Sequence, residues 1–316
     1  MTKSLDSNEH IGLASWSPDG RLIAYEKSEN EIWVTGPALD PPPAKLVSDG
    51  RHPSWIDYET VVFESSGEIV SIDVNTASRS VQVSRKDMSQ GTVKSRPVAH
   101  PETARFLFCC HAMFDRESQA NNAYDYRHFL AIRDIGRKKN IMTRQQWYGG
   151  TSVWFPEGER IAHFEFDSTG GARVHVLTAE GGEEAFMGGH YPSVSPSGLE
   201  IAARPRGGGG LLVYRQKDGT WDTDNLESIV LRLPEASGRL SANHPWWIDK
   251  RTIVIEEGKK IYRLDVRSEN AQTLLELPEL ADRGVPTMWP SPDGRLLLFI
   301  GESEDEVSLE VIEYPA

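Results

Sequence analysis

The chain is poor in cysteine, poor in basic residues relative to acidic ones, and without a long apolar run. Each shortage closes off a class of protein. Its two cysteines are neighbours, Cys109 and Cys110, in 316 residues. Adjacent cysteines rarely pair, so no disulfide framework is expected. No apolar stretch reaches the ~18 residues that a membrane-spanning helix needs, so no membrane partner is expected. The opening residues, MTKSLDSNEHIGLASW, contain no apolar signal segment. These three features together predict a reduced, cytoplasmic setting. Lys and Arg total 34 against 47 Asp and Glu, a net charge of −13. A net acidic chain is a poor general binder of a phosphate backbone, so no nucleic-acid partner is expected, though a local basic pocket stays open. No segment carries the 3.6-residue apolar period over the length of a helix. Nor does the chain hold an H-x-H, an H-E-x-x-H or a G-x-S-x-G element.

What the chain does have is a repeat. Seven units align: SWSPDGRLIAYE (15–26), SWIDYETVVFE (54–64), VAHPETARFLFC (98–109), VWFPEGERIAHF (153–164), SVSPSGLEIAAR (193–204), WWIDKRTIVIE (246–256) and WPSPDGRLLLFI (289–300). They start 39 to 55 residues apart. In each, a short extended segment meets a tight turn, Ser-Pro-Asp-Gly or Ile-Asp-x-x. Proline presets φ at the second turn position and glycine accepts the positive φ that ends it. A β-prone strand follows, then a second such as EIWV, EIVSID, HFLAI or KIYRLD, and in most units a short fourth segment.

Four strands every forty or so residues predict a β-propeller blade. The fold class is therefore all-β: a seven-bladed propeller of four-stranded antiparallel blades. The expected blades are about 12–48, 51–85, 95–143, 151–187, 190–234, 243–279 and 286–316, in a single domain spanning 1–316. The last unit lacks a fourth strand, and residues 2–5 are expected to supply it. Trp16, Trp55, Trp154 and Trp247 share one position in the repeat and are expected to pack blade against blade.

The motif W-S-P-D-G-R-x-[IL]-[AL] at 16–24, echoed at 289–298, resembles the WD40-like Pro-Asp repeat of the TolB-type propeller superfamily. The resemblance runs along the whole chain as a repeat pattern. It implies the fold; for function it implies only precedents, the nearest being the oligogalacturonate-lyase-type propellers.

In a propeller the inner strands begin at one mouth of the central channel, so the residues before each turn motif should ring it. One ring reads Leu13, His52, Arg96, Thr151, Tyr191, His244 and Thr287. The residues just before them read Gly12, Arg51, Ser95, Gly150, His190, Asn243 and Pro286. Imidazole and guanidinium gathered on an acidic protein suggest a pocket for a carboxylate or phosphate. Three histidines, His52, His190 and His244, also suit a divalent metal. The bland alternative is a slot that is polar because it faces a solvated channel. His52, His244, Arg96 and Tyr191 are the candidate catalytic residues. Arg51, His190 and Asn243 are candidate ligand contacts, joined by His111 from a long loop at 111–126 and by Arg204 and Arg206 from the RPRGGGG segment. Trp246 and Trp289 sit one residue earlier in the frame and offer an aromatic surface for a sugar or planar ligand. His163, His175 and His128 read as structural.

Two functions follow. In the first, a small anionic or aromatic ligand binds at the mouth. The lyase resemblance then implies metal-assisted elimination or isomerisation, with the three histidines as metal ligands and Arg96 against the substrate carboxylate. In the second, the same face is a non-catalytic scaffold for a peptide or protein.

Overall fold

The computed structural model describes residues 2–8, 10–85, 91–93, 96–113, 126–146, 149–166, 171–205, 210–233, 244–257, 260–276, 288–302 and 307–313. The chain forms seven antiparallel sheets. The first blade shows the pattern: an inner strand Ile11–Trp16, then Ile23–Lys27, Glu31–Thr35 and Ala44–Val47, each paired with the next. The other inner strands are Arg51–Trp55, Val98–His100, Gly149–Trp154, His190–Val194, Trp246–Trp247 and Met288–Pro290. Each touches the next, and the last returns to the first, so the ring closes. The structure is the seven-bladed propeller that the repeat predicts. Among the described residues the helical content is one 3-10 turn, Thr223–Asn225, and no helix is long and apolar enough to cross a membrane.

The N-terminal strand completes the last blade, running from Thr2 to Asn8 and so further than expected. It pairs antiparallel with Val307–Glu313, the last strand of the blade begun by Met288–Pro290. Covering that edge removes a row of unpaired backbone groups. The same strand is tied to the first blade: Asp6 accepts from the Tyr25 hydroxyl and from Lys27 Nζ at 2.8 Å.

The turns repay their sequence. Ser17 Oγ donates to Asp19 Oδ1 at 2.7 Å, and Asp19 Oδ1 accepts from the Arg21 N–H. Ser291 and Asp293 repeat this at 2.6 Å in the last blade. The Ser291 hydroxyl holds the Asp293 carboxyl below its usual value. In the Ile-Asp turns, Asp57 and Asp249 accept two backbone N–H groups each. Two different sequences thus close one turn by the same side-chain-to-backbone device.

There is no single core. Apolar layers lie between neighbouring blades: Ala24, Ile32 and Val34 of the first pack on Trp55, Val61, Phe63 and Ile72 of the second. Through these layers the four tryptophans act as expected and do more. Trp16 Nε1 donates to the Trp289 carbonyl at 2.9 Å, Trp55 to Ser15 at 3.0 Å, Trp154 to Val98 at 2.8 Å and Trp247 to Ser193 at 3.1 Å. Each acceptor belongs to the preceding blade and sits one residue before that blade's own tryptophan position. Where the position holds Ala99, a backbone N–H reaches the Ser54 hydroxyl at 3.0 Å instead.

Trp55→Phe keeps most of the ring and deletes the donor, leaving a part-buried carbonyl unpaired. We expect a loss of about 1–3 kcal/mol in denaturant unfolding, and ~3–5 kcal/mol for Trp55→Ala, which also opens a cavity. A Trp55→Phe variant as stable as the parent would show that the hydrogen bond adds nothing.

Candidate functional site

The mouth is built by irregularity in the inner strands. Pairing with the second strand breaks register between Ile11 and Ala14, Arg51 and Ser54, Gly149 and Ser152, and His190 and Ser193. An extra residue at this point bends a strand and re-aims its side chains. Two of the bulge residues, His52 (φ 56°) and Tyr191 (φ 53°), lie in the left-handed region. That conformation costs roughly 1 kcal/mol or more for a non-glycine residue, and it persists only where the surroundings enforce it.

Glu26 supplies part of that enforcement. Its carboxylate accepts from the Leu13 N–H at 3.1 Å in its own blade and from the His52 N–H in the next. It passes so close over Gly12 that a Cβ there would lie 2.1 Å from Oε2 and would displace the carboxylate. The His52 ring stands beside the same group, with Nε2 3.9 Å from Glu26 and Nδ1 3.4 Å from Glu64. So His52 faces carboxylates, and the mouth is less cationic than the sequence suggested.

Across the ring, blades four to six bring together four of the candidates. Phe164, His190, Tyr191, His244 and Trp246 form a chain of ring contacts. His190 and Tyr191 lie 4.9 Å apart edge to face, Tyr191 and His244 6.1 Å, His244 and Trp246 4.9 Å. Burial lowers the His244 pKa from 6.5 to about 4. Burial, aided by the Arg204 charge, does the same to His190. Both imidazoles are therefore neutral at pH 7. The Pro245 carbonyl, 3.1 Å from His244 Nδ1, can only accept, so the proton is on Nδ1 and Nε2 carries the lone pair. Burial raises the Tyr191 phenol, and Arg96 opposes that shift, so the Arg96 charge is felt across the mouth.

The remaining candidates are placed differently. Arg204 is buried and ion-paired with Glu257, and Nη1 also donates to the Gly210 carbonyl at 3.3 Å. Arg51 is exposed and donates to Asn30 at 2.5 Å. Trp289 is buried among Trp16, Leu298 and Leu309, its carbonyl taken by Trp16. His111 lies in the strand Arg105–Met113, paired with Thr92 and His128, where a loop was expected. Asn243 and Arg206 lie outside the described residues, as do 114–125. His163 and His175 are buried, with His163 Nδ1 2.7 Å from Ser152 Oγ and His175 2.9 Å from both Glu165 and Glu183.

The metal expectation meets a poor fit. Among the described residues no three His, Cys, Asp or Glu side chains are grouped to hold an ion. The Arg204 guanidinium that helps to keep His190 neutral would also repel a cation.

Sequence reasoning missed Glu26 and Glu64. A signal was available: the second strand ends in glutamate in IAYE, VVFE and IVIE. Thr151, which the sequence places in the ring without assigning it a role, has a buried Oγ1 that, like Trp246 Nε1, has no hydrogen-bond partner among the described residues.

Because the two histidines are neutral when folded and titrate near 6.5 when unfolded, the unfolded chain binds more protons between pH 6.5 and about 4. Stability is fully present above pH 6.5 and falls as the pH drops through that window. Thermal unfolding against pH should show the loss, and His244→Gln should flatten it. Two imidazole NMR signals should stay in the neutral form at pH 5.5. Two ordinary titrations near 6.5 would refute the assignment.

No sequence-family profile matches the chain, and no curated protein matches it in sequence. Solved structures do match. An oligogalacturonate lyase in complex with manganese superposes with a TM-score of 0.70 at 12% identity, over 95% of this chain and 88% of that one. The oligogalacturonate lyase of Vibrio parahaemolyticus gives 0.68 at 14% identity, with the same coverage. The Cps50 (Swd1) β-propeller domain of Myceliophteria thermophila gives 0.67 at 12% identity, over 98% and 99%. At such identities the likeness is one of architecture: this chain shares the propeller fold of these proteins.

Proposed function

We propose that the mouth of the channel binds a small organic anion with a flat or ring-shaped body. The observation that carries this reading is a pair of orphaned polar atoms: Thr151 Oγ1 and Trp246 Nε1 are buried without a hydrogen-bond partner among the described residues. Buried polar groups are nearly always satisfied, and exceptions gather where a ligand or water completes them. They come from blades four and six, near the starts of the two inner strands. Trp246 and Tyr191 provide aromatic faces. Arg96 is exposed and has no ion-pair partner among the described residues, so it can meet the ligand's charge.

The histidines favour binding over proton abstraction. An imidazole with a pKa of about 4 is unprotonated at pH 7 but a weak base. His190 and His244 serve best as neutral hydrogen-bond partners. The elimination chemistry of the lyases is not carried over, and no metal is needed for this reading. A cytoplasmic setting belongs to the same proposal, and the free Cys109, pushed up to about 11 by burial, would be unreactive there.

The net charge of −13 favours a second reading, a surface for a basic peptide. Calorimetric titration with a panel of uronic and aromatic carboxylic acids separates the two. We expect saturable binding of at least one acid, unaffected by a chelator. It should weaken roughly tenfold or more in Arg96→Ala, as befits a lost charge-assisted hydrogen bond, and also in Trp246→Ala. If no acid binds while a basic peptide does, the scaffold reading takes its place.

A further inference from the structure

The face opposite the mouth carries a second feature, independent of the ring of histidines. A cleft of about 410 Å³ opens between blades five and six, lined by Glu200, Arg215, Lys250, Val266 and Arg267. Its position follows from the topology. Lys250 lies in the turn from first to second strand of blade six, and Arg267 in the turn from third to fourth. Glu200 opens the second strand of blade five and pairs with Arg215 in the third. Those turns all lie at the end away from the mouth.

The volume falls in the range of roughly 300–1,000 Å³ that small-molecule sites span. The lining is unlike that of an apolar pocket, with Val266 its one hydrophobic member. Three cations face one carboxylate, on a chain whose net charge is −13. Glu200 Oε1 engages Arg215 Nε at 2.5 Å. That orients the guanidinium and leaves Lys250 and Arg267 as the uncompensated pair, both exposed and without an ion-pair partner among the described residues.

Their backbones are held in place. Asp249 Oδ1 accepts from the N–H groups of Arg251 and Thr252 at 2.6 and 2.7 Å, and Asp265 Oδ1 from those of Arg267 and Ser268 at 2.9 and 2.8 Å. The Val266 N–H donates to the Arg251 carbonyl at 2.9 Å, and Arg251 Nε pairs with Asp265 at 2.5 Å, so the two turns are locked to each other. The nearby carboxylates are thus engaged by backbone and by Arg251. What remains is two exposed cationic side chains on anchored turns of blade six and an oriented guanidinium on blade five.

We propose that this cleft is an anion site for a small phosphate monoester. Such a group carries ≈ −1.5 to −2 charges at pH 7, which matches the two uncompensated cations. Its tetrahedral oxygens suit donors that converge from two blades, and Arg215 and Arg267 offer planar forks for it. A single carboxylate would leave one of the two charges unmatched.

The test is calorimetric and thermal titration of the whole chain with glycerol 3-phosphate and with inorganic phosphate. Sodium chloride at equal ionic strength is the control. The variants are Lys250→Ala/Arg267→Ala and, for the mouth, Arg96→Ala. We expect glycerol 3-phosphate to bind saturably and to raise the melting temperature of the parent. The double variant, unfolding at the parent's temperature without ligand, should bind roughly tenfold or more weakly, because two charge-assisted contacts are gone. Arg96→Ala should bind as the parent does. The proposal is overturned if the parent does not bind, if chloride gives the same shift, if the double variant binds unchanged, or if Arg96→Ala abolishes binding. Binding of inorganic phosphate as tight as the ester would overturn the small-ester assignment in favour of a free-phosphate site.

Discussion

Four of the seven blades are held to the one before by a short lateral reach, an indole N–H donating to a carbonyl just inside the neighbour's inner strand. Trp16, Trp55, Trp154 and Trp247 all make it, at 2.8 to 3.1 Å. The ring depends on this reach because a propeller has no common centre in which to bury its side chains. Its stability is divided among interfaces, and each needs both area and registry. The apolar layers provide area, which is indifferent to sliding. A hydrogen bond with defined donor and acceptor is not indifferent, so where a tryptophan is present it fixes how far along its neighbour the blade sits.

Four of the inner strands break register a few residues before the tryptophan position of the repeat. Glu26 shows how such a break is supported. It caps a bulge in its own blade and another in the next, so the left-handed backbone of His52 is supported from a different sheet. Strain at a rim residue is tolerable when the neighbour holds it.

The two faces of the ring differ in their electrostatics. At the mouth, Arg204 is paired with Glu257, and the His52 ring lies beside Glu26 and Glu64. The imidazoles of His190 and His244 avoid charge altogether by burial. On the opposite face, Lys250 and Arg267 stand without carboxylate partners among the described residues, in an otherwise acidic protein. The mouth therefore offers aromatic faces and neutral imidazoles, while the cleft between blades five and six gathers positive charge.

The number of blades, the turn chemistry, the packing tryptophans and the closure by the N-terminal strand were all legible in the sequence. They are local requirements repeated with a period: a proline and an aspartate in a turn, an indole at one position, a missing fourth strand. The chemistry of the mouth was only half legible. His190, Tyr191, His244 and Trp246 do come together, but Arg204 reads as a free cation until Glu257, 53 residues further on in the next blade, is seen against it. Nor does spacing reveal that two histidines are neutral or that Glu26 reaches into the second blade. Periodicity is written along the chain, so the sequence determined the ring. Charge pairing and burial are settled across the gap between blades, so only the tertiary structure decided which groups at its mouth remain available.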